Sequence, residues 1–75
     1  MSTRGEASAK LQSGTVTRLE PGAGFGYVRD AKGENRYIFI LGKAIKHAQV
    51  RKLSIGKPVS FRVSGQGHVD EVVIA

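Results

Sequence analysis

Four of the five aromatic residues in this chain, Phe25, Tyr27, Tyr37 and Phe39, are crowded into two short runs, Gly24-Phe25-Gly26-Tyr27-Val28-Arg29 and Arg36-Tyr37-Ile38-Phe39-Ile40-Leu41. Rings at alternate positions between arginines suit non-covalent chemistry. Flat ring faces stack on unpaired bases, at about 1 to 3 kcal/mol per base, and neighbouring cations attract phosphates. The candidate stacking residues are Phe25, Tyr27 and Phe39, with Tyr37 and Leu41 extending the surface. The candidate phosphate contacts are Arg18, Arg29, Arg36, Lys43, Lys46, Arg51 and Lys52.

Covalent chemistry has no comparable support. The chain lacks cysteine, which excludes a thiolate nucleophile, a disulfide framework and a zinc finger. His47 and His68 are isolated, with no second His or Cys at metal-ligand spacing. Gly22, Gly24 and Gly26 have the wrong spacing for a dinucleotide loop, and no βαβ unit follows them. Asp70 and Glu71 are adjacent on an expected strand and so point to opposite faces, the wrong arrangement for a cooperating acid and base. No Ser, His and Asp set is apparent. The expectation is a binding protein that is not an enzyme and uses no metal or cofactor.

Charge agrees with that chemistry. Twelve Lys and Arg against six Asp and Glu give a net charge of +6, the electrostatic footprint of a polyanion binder. The absence of cysteine fits a reducing cytoplasm. The first ten residues contain no apolar core of the kind a signal peptide needs. No apolar run approaches the roughly 20 residues required to span a bilayer. A cytoplasmic, monomeric protein with no membrane partner is expected.

The rings must be positioned by strands. Residues 1–12 are small and polar and read as a flexible arm, whereas 13–75 carry short β-branched runs punctuated by Gly, Pro, Asn and Asp. Strands are expected over 14–19, 24–29, 36–41, 59–63 and 69–74, and the connection over 42–55 has room for one helical turn. Five strands in 75 residues leave a closed barrel of the OB type or an SH3-like barrel, because a flat sheet exposes long edges. The long connection after the third strand favours a five-stranded antiparallel OB-fold barrel.

Side chains alternate along a strand, so Phe25 and Tyr27 share one face, and Tyr37, Phe39 and Leu41 share one face. Val16, Val28, Ile38, Ile40, Val59, Phe61, Val63 and Ile74 form an aliphatic core if the rings face outward. The inverse assignment puts the rings inside.

Several of these residues resemble the bacterial cold-shock proteins, over residues 14–75. Gly24-Phe25-Gly26-Tyr27-Val28 is similar to that family's first ribonucleoprotein motif, Gly-Phe-Gly-Phe-Ile, and Ile38-Phe39-Ile40 to its second, Val-Phe-Val. Gly14-Thr15-Val16, Ala44-Ile45, and Leu53 with Gly56 fall in the family's order. The resemblance implies an OB-fold, RNA or DNA as ligand, an RNA-chaperone or regulatory role, and outward rings at Phe25, Tyr27 and Phe39. The pattern also departs: Thr17, Arg18 and Leu19 replace Lys-Trp-Phe, Ala23 replaces Lys, and Leu41 and Gly42 replace His and Phe. Weaker or differently selective binding follows.

Residues 42–57 also resemble the basic segment of bacterial translation initiation factor one, through Gly42-Lys43, Lys46, Arg51-Lys52-Leu53 and Gly56. That likeness implies ribosomal RNA as a partner and a ribosome-associated role. A module whose exposed rings bind a protein partner is the alternative from another class.

Overall fold

The sequence segments richest in β-branched and aromatic residues form the strands of a barrel in the computed structural model, which describes residues 11–65 and 67–74. They are β1 (Gln12–Glu20), β2 (Phe25–Asp30), β3 (Arg36–Ile40), β4 (Pro58–Val63) and β5 (Val69–Ile74). A single helical turn, α1 (His47–Val50), occupies the long connection. Most of the expected arm lies outside the described residues, and Gln12 already belongs to β1, paired with Phe61.

The strands close in the order β1-β2-β3-β5-β4. All pairs are antiparallel except β3 with β5, which meet in parallel at Phe39 and Val69. This is the five-stranded OB-type barrel. No helix among the described residues is long and apolar enough to cross a membrane.

The barrel is filled by Val16, Val28, Phe39, Val59, Phe61, Val69 and Val72, and sealed by Ala44, Ile45 and Leu53 from the connection. Val63 and Ile74 pack against this core at its margin. The expected alternation of Val59 and Phe61 holds. Ile38 and Ile40, expected inside, are instead 39% and 41% exposed, and Phe39 between them is fully buried.

The reason lies in the glycines. A Cβ on Gly26 would come within 2.7 Å of the Phe39 ring and 2.8 Å of the Arg18 carbonyl oxygen. Gly14 stands in the same relation to Phe61, at 2.5 Å from its ring. Each ring fills the space that the facing strand leaves by having no side chain, so the two large core residues interdigitate with bare backbone.

The β2–β3 loop is organised by Asp30. Its carboxylate accepts the backbone N–H groups of Glu34 and Asn35 and the Asn35 side-chain amide. Slight desolvation is the largest single influence and raises its pKa. The hydrogen bonds from Asn35, Glu34 and Gly33 together outweigh it and hold the carboxyl below its ordinary 3.8. A lowered folded value means that the stabilisation is fully present above the ordinary value and is lost as pH falls through the folded one. We therefore expect the Glu34 and Asn35 amides to lose exchange protection below about pH 3.8, and Asp30→Asn to flatten that profile. A pH profile of these amides that is the same in wild type and in Asp30→Asn would rule out the carboxylate as the organiser.

Candidate functional site

The outer face of β2 and β3 consists of three cross-strand pairs. Phe25 lies opposite Ile40, Tyr27 opposite Ile38, and Arg29 opposite Arg36. All six side chains are at least partly open to solvent. The face is thus an apolar strip of two rings and two isoleucines, closed at one end by two arginines.

β1 contributes the next row, and it does so through a bulge. Pairing with β2 shifts register between Val16, which faces Val28, and Arg18, which faces Tyr27. Without the extra residue, Thr17, the alternation that buries Gly14 and Val16 would turn Arg18 inward as well. The bulge re-aims it outward and lets Leu19 pack against the core. Arg18 then sits 5.8 Å from the Phe25 ring centre, and Arg36 sits 5.5 Å from that of Tyr27. The two rings are 5.9 Å apart and tilted by 51°. Guanidinium, ring, ring and guanidinium therefore form a continuous series of contacts across three strands, a cation–π arrangement at both ends.

The two ends differ electrostatically. Arg18 Nε donates to Glu20 at 2.9 Å, so its charge is largely compensated. Arg29 and Arg36 have no ion pair among the described residues, and the register holds them directly opposite one another. A like-charge cross-strand pair is unfavourable by itself and is relieved by an anion placed between the two. A depression of about 300 Å³ lined by Tyr27, Arg36, Tyr37, Ile38 and Gly67 opens at this end.

Three of the five expected stacking residues are not on this face. Phe39 is in the core with no exposed surface. Tyr37, on the same side of β3, is half-buried and packs against the Phe61 ring at 5.6 Å. Leu41 is half-buried against the core. Of the expected set of Phe25, Tyr27, Phe39, Tyr37 and Leu41, the structure therefore leaves Phe25 and Tyr27 on the outer face and Tyr37 at the wall of the depression beside Tyr27, and it withdraws Phe39 and Leu41 to the core. Ile38 and Ile40 take the places given to the β3 rings. The cause is register, since β2 pairs odd-numbered positions with even-numbered positions of β3.

The other expected phosphate contacts, Lys43, Lys46, Arg51 and Lys52, are all exposed on the connection, where Lys43 and Lys46 line a groove with Arg62, Asp70 and Glu71. Asp70 and Glu71, expected on opposite faces, both reach Arg62, at 2.9 and 3.3 Å. A register shift between Arg62 and Val63 permits this. The Asp70 hydrogen bond, more than any other influence, raises the Arg62 pKa. These carboxylates are occupied by an ion pair on the far hairpin.

The signals that locate Ile38, Ile40 and the Thr17 bulge are geometric ones, and the chemistry of the face must be judged on that geometry, because no protein-family model, no curated protein and no solved structure matches the chain.

Proposed function

We propose that the outer face of β1, β2 and β3 binds single-stranded RNA or DNA, and that the protein acts as a cytoplasmic RNA chaperone or cold-shock-like regulator without catalysing a reaction. The observation that carries this reading is the solvent-facing Phe25–Tyr27 pair flanked by Arg18 and Arg36. Bases stack on the two rings, and Arg29 with Arg36 takes the phosphate that follows. The ring spacing of 5.9 Å exceeds the rise of about 3.4 Å per nucleotide in a stacked duplex strand. Bases seated on both rings are therefore unstacked from each other, which only an unpaired strand achieves at low cost.

The resemblance of Gly24-Phe25-Gly26-Tyr27-Val28 to the cold-shock motif supports the same reading. That of Ile38-Phe39-Ile40 does not extend to its ring, which belongs to the core. With two rings in place of a fuller platform, the footprint falls at the low end of the roughly 4 to 16 nucleotides typical of one OB-fold.

The exposed Ile38 and Ile40 favour a second reading, a protein-interaction face, because they widen the apolar strip. Salt separates the two. Anisotropy titration of labelled single-stranded oligonucleotides is expected to give log K falling with log salt at a slope of about −1.4 if Arg29 and Arg36 alone displace counterions, and more steeply if others join them. A slope near zero, or no binding, would transfer the face to a protein partner.

A further inference from the structure

Among the described residues, acidic partners hold Arg18 and Arg62, and the remaining cations fall in two groups. Arg29, Lys32 and Arg36 lie at the Tyr27 end of the strip. Lys43, Lys46, Arg51, Lys52 and Lys57 lie on the connection that begins at its other end, where residues 42–57 include no acid and no Phe, Tyr or Trp.

The connection is fastened down. Ile40, the last residue of the strip, accepts the N–H groups of Lys43 and Ala44 through its carbonyl. Gly42 donates to Ile45, and Val72 of β5 donates to Ala44. Gly42 has φ +90°, and a Cβ there would meet the His47 ring at 2.6 Å, so glycine lets that ring close over the turn. Ala44 and Ile45 at one end and Leu53 at the other are buried, while Lys46, His47, Arg51 and Lys52 between them are exposed. The result is an arch of exposed cations anchored at its start to the end of the strip, with Lys43 and Lys46 lining a groove shared with Arg62 and its partners Asp70 and Glu71.

We propose that this arch is a second site, for the phosphates of a base-paired stem, so that the protein's preferred ligand is a junction between single strand and duplex. The proposal rests on the single-strand reading of the strip. The only ring of the arch is the His47 imidazole, closed over the turn at Gly42, so the arch acts mainly through charge and selects by phosphate density, which is about one charge per 1.7 Å of axis in a duplex against 3.4 Å in one strand. The strip requires unpaired bases. The tight turn at Gly42 starts the arch at the last residue of the strip, which makes the second contact intramolecular once the first has formed.

The test uses the full chain with three labelled RNAs: a short single strand, a blunt hairpin stem, and that stem carrying the single strand as a tail. The tailed stem is expected to bind about tenfold or more tighter than either part. Lys46→Gln with Arg51→Gln and Lys52→Gln is expected to bring the ratio of tailed stem to tail close to one and to reduce the salt slope for the tailed stem by about two to three. A wild-type ratio of one, or a gain that survives the triple variant in a protein with unchanged thermal melting, overturns the arch. Binding of the tail that does not depend on Phe25 and Tyr27 overturns the strip reading, and the junction proposal with it.

Discussion

Removing both rings, Phe25→Ala with Tyr27→Ala, is expected to weaken binding of a short single strand by at least about 30-fold while leaving its salt slope unchanged. The magnitude follows from about 1 to 3 kcal/mol per stacked base, lost at two positions. The constancy of the slope follows because Arg29 and Arg36 remain and displace the same counterions. Stability should change little, since both rings lie on the outer face and neither belongs to the buried core. Arg29→Gln with Arg36→Gln is the complementary case. It is expected to flatten the slope by about 1.4, and it removes a like-charge pair that the free protein tolerates only at a cost. Anisotropy titrations across a salt series read both effects. Undiminished affinity in the ring variant would sink the stacking model, whatever the behaviour of the arginines.

The barrel was legible because its signals are local. Glu20-Pro21-Gly22 stops β1, and the Glu20 carbonyl accepts the N–H groups of Ala23 and Gly24 in the turn expected there. Val59 and Phe61 alternate cleanly into the core, and the connection contains the single helical turn for which it had room. The face of β3 was not legible in the same way. Alternation within a strand says which residues travel together, and it is silent on how two strands align. Alignment here is set by the loop between Arg29 and Arg36, whose even number of residues couples odd positions of β2 to even positions of β3. Asp30 fixes that length by capping the loop, so an Asp followed by Gly33 and Asn35 was the available signal. The bulge at Thr17 is harder still to read, because an inserted residue leaves no compositional mark and reverses the alternation after it. Arg18 is among the candidate phosphate contacts, and the reason it faces outward is visible only in three dimensions.

Phe39→Ala is the substitution for which the structure and the motif resemblance lead to opposite expectations. A ring on the binding face would be lost with little change in stability and a large loss of affinity. A fully buried Phe truncated to Ala costs about 3 to 5 kcal/mol. A chain of 75 residues has in total about 4 to 11 kcal/mol at 0.05 to 0.15 kcal/mol per residue. The variant is therefore expected to lose a large part of that stability and to melt well below wild type, with any loss of binding following the loss of fold. Ile40→Ala, next in sequence and exposed, is expected to melt close to wild type. Gly26 offers an independent check, since the methyl of Gly26→Ala meets the Phe39 ring and the Arg18 carbonyl oxygen. Overpacking of this kind costs about 1 to 3 kcal/mol. Phe39→Leu withdraws the ring edge that the methyl meets, so Gly26→Ala should cost less in the Phe39→Leu background than in wild type. Thermal melts of the four proteins of that cycle give the coupling directly. Additive costs, or a Phe39→Ala protein that melts like wild type, would place the ring outside the barrel and return it to the binding face.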